Sequence, residues 1–182
     1  MKKTAIAFLM ALPLICFAVT APAAEVAVTP VGQTPDGLKV KMLAKRLKVE
    51  PEYNAILTKD MLAEQKVLIA VIGGSTKGLA AAHITREQEV ERSVALLEEA
   101  RRKDIKVLIM HIGGEYRRGK MTDMFIEAVA GLGDRIIVVR SGNADGLFTR
   151  ARAKDAGLIE VDDVQGIISP LREAFSAWGV VR

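Results

Sequence analysis

Glycine and small polar residues recur together at four places along the chain, close to several basic side chains. The four segments are residues 32–37, 73–78, 113–120 and 141–146, and each follows a short apolar run. Glycine permits a positive φ and a close approach of the backbone, so such a loop can direct several N–H groups towards one point. An anionic group, such as a carboxylate or a phosphate, is the ligand that suits such a point.

These segments supply the candidate ligand-binding residues, and their basic side chains would provide matching charge. The candidates are Gln33, Thr34, Asp36, Gly73, Gly74, Ser75, Thr76, Lys77, Gly113, Gly114, Glu115, Arg117, Arg118, Asn143 and Asp145. Lys120 could add a further charge. The alternative is that glycine, Asp, Asn and Ser only form tight turns and helix caps, with Asp36 and Asp145 as N-caps. Both interpretations stay open.

An enzyme is a second interpretation of the same loops. His111, Glu115 and Asp36 could serve as acid and base in a hydrolase or an isomerase, provided that the three side chains converge on one substrate position. A histidine in such a position is more often a buried imidazole that is hydrogen-bonded inside the core.

Other known catalytic and cofactor motifs are incomplete in this sequence. Gly114, Gly119 and Lys120 have the spacing of a phosphate-binding P-loop, but Met121 stands where Ser or Thr must hold magnesium. Ser75 and Ser141 lack the flanking glycine pattern of a serine-hydrolase elbow. No pair of Cys or His residues has metal-ligand spacing. We therefore expect neither a cofactor nor a metal site.

Short apolar runs rich in Val and Ile must position these loops, and they indicate strands. The clearest are residues 67–72, 107–112 and 136–139, and weaker candidates are residues 26–31, 53–57 and 158–161. The clearest runs are nearly continuous in apolar residues, which is typical of parallel strands covered on both faces. Aromatic residues make up only 4% of the chain, which favours an aliphatic sheet under helices over a base-stacking surface that would bind nucleic acid.

Amphipathic segments between these runs predict helices over residues 38–47, 122–130, 146–154 and 164–178, and another after His83. Thr85 and Gln88 have capping-box spacing at the start of that helix. Pro170 lies inside the last segment, so that helix either kinks or begins with Ser169 as its cap and Pro170 at its first position.

The alternation of strands and helices predicts an α/β fold. We expect a three-layer sandwich with a mostly parallel sheet of five or six strands, flavodoxin-like or Rossmann-like, with the first strand beside the one that ends at Ile72. Thr34 and Ser75 would then flank the point where the strand order reverses, which is where ligands bind in such folds. The sequence does not decide whether residues 73–84 close over this edge as a lid.

The start of the chain predicts export. Lys2 and Lys3 precede an apolar run over residues 5–19, and small residues follow at 21–24, as in a secretory signal peptide. We expect a signal peptide over residues 1–24, a single α/β domain over residues 25–182, and a periplasmic or secreted protein with no stable membrane anchor. Without the two lysines the net charge falls from +4 to +2, so the charge does not argue for a nucleic-acid partner.

The chain resembles a family of small exported bacterial proteins known only as a domain of unknown function. The resemblance rests on residues 32–36, 71–79, 110–115 with 117–119, and 142–143 with 145–148. It implies export and an α/β fold and supplies no activity.

Three functions follow from these observations. The leading hypothesis is an exported protein that binds a small polar or anionic ligand at the loop edge. The alternatives are the small enzyme described above and an accessory module that docks on an exported or membrane partner. Such a module would use the face that carries Trp178 or the basic first helix.

Overall fold

The computed structural model describes residues 24–181, so the predicted signal peptide, as far as Ala23, lies outside the described residues. Strands and helices alternate along the described chain. The strands are β1 (Val26–Val31), β2 (Glu52–Tyr53), β3 (Val67–Ile72), β4 (Lys106–His111), β5 (Arg135–Val139) and β6 (Gly157–Val161). The helices are α1 (Asp36–Arg46), α2 (Thr76–Ala81), α3 (Arg86–Arg102), α4 (Lys120–Val129), α5 (Leu147–Ala151) and α6 (Ile168–Ala177).

The strands form one sheet in the order β2-β1-β3-β4-β5-β6, and every neighbouring pair is parallel. The predicted α/β class and flavodoxin-like order are confirmed, including the pairing of β1 with β3, in which Val28 lies opposite Ile69. The chain runs outward from β1 to β2 and then returns to β3. The strand order therefore reverses between β1 and β3, which makes the carboxyl ends of these strands the expected position of a ligand site.

Helices cover both faces of the sheet. Side chains of α1 and α6 pack on one face, where Val40, Leu43, Leu171 and Phe175 belong to one buried cluster. Side chains of α3, α4 and α5 belong to the cluster on the other face. Every residue of β3 is buried, as expected for a parallel strand with helices on both sides.

The capping box predicted for α3 is present. The Gln88 amide donates to Thr85 Oγ1 at 3.2 Å, and the Thr85 amide donates to Gln88 Oε1 at 2.9 Å. The backbone amides of Thr85 and Gln88, which have no acceptor within the helix, therefore each donate to a side chain.

Strand β2 is much shorter than the predicted strand over residues 53–57, and β1 explains the difference. Pairing extends to Val28, whose carbonyl accepts from the Asn54 amide at 3.1 Å. The next N–H that β1 would offer to this neighbour belongs to Pro30, and proline has none. Asn54 Oδ1 then accepts from the Ile56 amide at 3.0 Å, which forms a turn.

Two helices also differ from prediction. Residues 76–81, for which the sequence predicts no helix, form α2, because Ser75 Oγ accepts from the Gly78 amide at 3.0 Å and caps the helix. Helix α6 begins at Ile168 after a 3-10 turn, so Ser169 is not its cap. Pro170 lies in the first turn of α6 without breaking it, since N–H groups there have no intrahelical acceptor.

Within residues 24–181, no helix combines the length and the apolar character that crossing a membrane requires.

Candidate functional site

The carboxyl ends of β1 and β3 open into a groove of about 440 Å³ at the point where the strand order reverses. We call it the switch-point groove. Its lining residues are Pro30, Gln33, Thr34, Pro35, Tyr53, Ser75, Lys77, Gly78 and Arg117. Three of the four glycine-bearing loops thus contribute to one depression, and the loop over residues 141–146 does not.

Two exposed cations from different loops line this groove. Lys77 belongs to α2 and forms no ion pair within the part of the chain that the structure describes. The Arg117 side chain is 44% exposed, and its Nε lies 3.9 Å from Asp36 Oδ2, beyond hydrogen-bonding distance. Both cations therefore remain available to a ligand.

Asp36 lies beneath Arg117 and is buried. Lys39 Nζ approaches Asp36 Oδ1 to 2.8 Å, although the geometry does not make a hydrogen bond. The negative charge of Asp36 is thus balanced locally by Lys39, and the groove keeps a positive character. Asp36 is the first residue of α1 and not its N-cap, since Pro35 precedes the helix and Thr34 Oγ1 accepts from the Asp36 amide at 3.3 Å.

A buried ion pair on α3 fixes the loop over residues 32–37 from below. Glu89 Oε1 accepts from the Gly32 amide at 2.9 Å and from Gln33 Nε2 at 3.2 Å. Arg92 binds both oxygens of Glu89 at 2.8 Å and also donates to the carbonyls of Pro30 and Leu57. Gln33 is thereby held at a φ of 57°, a conformation that non-glycine residues rarely adopt.

The loop over residues 73–78 uses its N–H groups for internal contacts. The Gly73 amide donates to the Val31 carbonyl at 2.9 Å, and the Ser75 amide donates to the Gly32 carbonyl at 2.8 Å. The Gly74 amide donates to Thr122 Oγ1 at 2.9 Å. These three amides join neighbouring loops and do not cradle an anion, so a ligand in the groove would be held mainly by side chains.

Two glycines in these loops are required by close packing. A Cβ on Gly73 would lie 2.9 Å from the side chain of Thr34, and one on Gly78 would lie 2.2 Å from the Gln33 carbonyl oxygen. Helix α2 therefore rests directly on the loop that follows β1. Thr76 faces an adjacent cleft of about 580 Å³ that also contains Lys120.

The loop after β4 holds Arg117 over Gly113. A Cβ on Gly113 would lie 2.0 Å from Arg117 Cγ, so only glycine leaves space for this side chain. Gly114 has a φ of 59°, and the Glu115 amide donates to Ser141 Oγ at 3.3 Å. The Glu115 side chain is exposed and does not line the switch-point groove.

Arg118 connects this loop to the one after β5. It binds both carboxylate oxygens of Asp145, Asp123 Oδ1 at 2.7 Å and the Gly142 carbonyl. Hydrogen bonding to Arg118 lowers the pKa of Asp145 from 3.8 to about 2, and the same contact raises the pKa of Arg118. Arg118 is only 13% exposed and is committed to these partners, so it is not free to bind a ligand.

Asn143 and Asp145 organise the loop after β5. The Asn143 side chain is buried, donates to Glu160 Oε1 at 2.7 Å and accepts from the Phe148 amide at 2.9 Å. Asp145 Oδ1 accepts from the Leu147 amide at 3.1 Å. The N-cap of α5 is Gly146, so the prediction of Asp145 as its N-cap is wrong by one residue. These two residues stabilise turns away from the groove.

His111 is fully buried at the end of β4. Its Nδ1 lies 3.0 Å from the Ile72 carbonyl oxygen, and its Nε2 lies 3.1 Å from the Gly114 carbonyl oxygen. Since both neighbours are acceptors, a neutral ring can donate to only one of them. Neither nitrogen faces the groove, so the predicted acid and base group of His111, Glu115 and Asp36 loses its histidine.

Tyr53 is a groove residue that sequence reasoning missed. The sequence places it at the start of a weak strand, and only its position at the sheet edge brings it to the groove. Burial raises the pKa of the Tyr53 hydroxyl above its ordinary value of 10.0, so the protonated hydroxyl, a hydrogen-bond donor, is the form present at neutral pH.

Among residues 24–181, no group of three or more His, Cys, Asp or Glu side chains is arranged to hold a metal ion.

Comparison with solved structures finds proteins of low sequence identity. AlinE4, an SGNH-hydrolase family esterase, is 13% identical, with a TM-score of 0.33 over 87% of this chain and 96% of that chain. A mutant of the same esterase is also 13% identical, with a TM-score of 0.32 and the same coverage. No curated protein matches the sequence. The family model described as a domain of unknown function (DUF6305) matches residues 23–175, and the chain therefore belongs to that family.

Proposed function

We propose that this protein binds a small organic anion, a carboxylate or a phosphate, in the switch-point groove. The observation that carries the proposal is the position of Lys77 and Arg117, two exposed cations from different loops that line one depression. An arginine fork can bind two oxygens of a carboxylate or phosphate at once, and a lysine adds a point charge.

Neutral groups in the groove suit the rest of such a ligand. Thr34 and Tyr53 offer hydroxyl groups, while the ring of Tyr53 and the side chain of Pro30 offer apolar surface. Ligand sites commonly combine a mostly apolar wall with a few polar groups that fix orientation. This combination favours an anion with a short hydrocarbon or aromatic part over a bare inorganic ion.

The geometry supports binding better than catalysis. An acid or base must reach the reacting group directly or through one water molecule. His111 directs both ring nitrogens at backbone carbonyls, and Glu115 lies outside the groove. Asp36 is the remaining member of the predicted acid and base group, and it is paired with Lys39.

We expect this function in the periplasm or outside the cell, because the start of the chain has the pattern of a signal peptide, and the ligand would there be a solute or a metabolite. Export of a fusion to alkaline phosphatase, which is active only outside the cytoplasm, would test the location. A fusion that stays inactive unless its leader is replaced by a known one would contradict it.

Calorimetric titration tests the binding proposal. The wild-type protein would be titrated with phosphate, acetate, benzoate and phenyl phosphate. We expect saturable binding by at least one of them, with affinity lowered about tenfold or more in Arg117→Ala and in Lys77→Ala, because each loses a charge-assisted contact. Arg86→Ala, at an exposed arginine of α3, serves as the control and should bind as the wild type does.

The absence of saturable binding to all four anions would reject the proposal. Equal affinity of the wild-type protein and both groove variants would reject it as well.

A further inference from the structure

The outward face of α1 exposes two large apolar side chains among bases. Leu38 and Met42 are 51% and 67% exposed and lie four residues apart, on the same side of the helix. Lys39, Lys45 and Arg46 are exposed beside them. The opposite side of α1 is already buried against the sheet, so these apolar groups are not part of the core.

Positive charge continues from α1 onto α6. Arg46, Lys48 and Arg172 line a shallow depression of about 490 Å³ between the ends of the two helices. None of these three cations forms an ion pair with any other residue in 24–181. Glu173 also lines the depression, and its Oε1 accepts from the Ser169 hydroxyl at 3.2 Å. Cations from two helices therefore form one positively charged surface.

We propose that this surface, which we call the basic face, docks reversibly on an anionic lipid bilayer. Basic side chains are attracted to anionic headgroups, and apolar side chains between them can enter the headgroup region. Leu38 and Met42 would make this shallow insertion. The charge of Arg46, unpaired within residues 24–181, flanks them, and Arg172 extends the contact along α6. Lys39 and Lys45 also lie beside them, each paired with an acid of its own, Asp36 and Glu50.

The arrangement favours a bilayer over a small anion. A free anion would occupy only the depression formed by Arg46, Lys48 and Arg172, and Leu38 and Met42 would then have no role. The exposed apolar and basic side chains are also spread along a helix face about three turns long, which matches an extended surface of headgroups better than a single ligand.

Trp178 is not part of this contact. The guanidinium carbon of Arg135 lies 5.3 Å from the centre of its ring, and the ring is partly buried against the core. Leu38 and Met42 of α1 are therefore the apolar side chains that we assign to the contact.

Vesicle co-sedimentation tests the proposal. The protein would begin at Glu25, after the predicted signal peptide, since the two core clusters of the described residues 24–181 are built from residues after it. Vesicles would contain either phosphatidylcholine alone or equal parts of phosphatidylcholine and phosphatidylglycerol. We expect binding to the anionic vesicles that weakens with added salt, and much less binding to the neutral ones.

Two variants probe the two parts of the basic face. Arg46→Glu with Arg172→Glu should lower the partition coefficient on anionic vesicles about tenfold or more. Leu38→Gln with Met42→Gln should lower it severalfold without any change in charge. The control Arg86→Glu with Lys154→Glu makes the same charge change elsewhere and should bind nearly as the wild type does. Thermal unfolding establishes whether each variant is folded. If a double variant of the basic face is not folded, Met42→Gln alone is tested in its place.

Several results would overturn the proposal. Equal binding to neutral and anionic vesicles would do so, as would an equal loss in the control variant. Binding of inorganic phosphate without any vesicle binding would assign the depression to a free anion. Capture of an acidic protein without vesicle binding would assign the basic face to a protein partner.

Discussion

Arg118 binds both carboxylate oxygens of Asp145, with Nη1 to Oδ1 at 3.0 Å and Nη2 to Oδ2 at 2.8 Å. The two residues belong to the loops that follow β4 and β5. The Arg118 side chain also reaches the Gly142 carbonyl, so one guanidinium bridges the two loops. The loop that carries Arg117 is therefore tied to the loop after β5, which does not line the switch-point groove.

Replacing Arg118 with lysine should destabilise the protein. A lysine keeps the charge but cannot bind two carboxylate oxygens in parallel, and several of the present hydrogen bonds would be lost. We expect the free energy of unfolding to fall by about 1–2 kcal/mol, measured by urea denaturation. The control Arg101→Lys, at an exposed residue of α3, should change it by less than about 0.5 kcal/mol. Equal stability of Arg118→Lys and wild type would contradict this role.

The ion pair between Arg118 and Asp145 should make the free energy of unfolding depend on pH in the acidic range. The pKa of Asp145 is about 2 in the folded protein and 3.8 without its partners. A lowered pKa means that the contribution is fully present above pH 3.8 and is lost as the pH falls towards about 2. Since the Asp145 side chain is 53% exposed, we expect a contribution of only about 0.5–1 kcal/mol.

The measurement for this effect compares wild type with Asp145→Asn. The difference in free energy of unfolding at neutral pH should shrink as the pH approaches about 2. A difference that is constant across this range would exclude a role for ionised Asp145.

Removing Glu89 should have a much larger effect on stability. The Glu89 side chain is fully buried, and its loss would leave Arg92 without its counter-charge and the Gly32 amide without its acceptor. We expect Glu89→Ala to lower the free energy of unfolding by about 3–5 kcal/mol. Glu98→Ala, at an exposed position on the same helix, is the matched control and should be nearly neutral. A small effect of Glu89→Ala would show that the pair does not support the loop.

Glycine at position 78 should be sensitive even to alanine. Alanine normally suits a helix better than glycine, but here its Cβ would lie 2.2 Å from the backbone oxygen of Gln33. We expect Gly78→Ala to destabilise the protein by about 1–3 kcal/mol. In Gly157→Ala the new Cβ would meet only Arg135 Cγ at 3.8 Å, an ordinary contact, so this control should be neutral. Stabilisation by Gly78→Ala would show that α2 does not pack closely on the loop after β1.

The sequence predicts the layers of this fold better than it predicts the site. The run from Val67 to Ile72 is apolar throughout because both faces of β3 are covered, and that pattern is local. The capping box at Thr85 is likewise contained within four residues. The order of the strands follows from the alternation of strands and helices together with the known behaviour of parallel sheets.

The site depends on contacts that no local pattern contains. Glu89 is one acid among many charges on α3, and nothing in its spacing shows that it binds Gly32, 57 residues earlier. Arg117 and Arg118 are adjacent in the sequence, yet Arg117 faces the groove and Arg118 bridges two loops. Glycine-rich loops predicted an anion cradle, whereas the amides of Gly73 and Gly74 are used to join loops.

The most direct test of the binding proposal is a titration of the isotope-labelled protein with benzoate, followed by NMR of the backbone amides and arginine side chains. We predict saturable shifts confined to Thr34, Ser75, Lys77 and the Arg117 Nε–H group, which surround the groove. Shifts centred instead on Arg46, Lys48 and Arg172, or weak shifts spread evenly over the lysines, would contradict a ligand site in the switch-point groove.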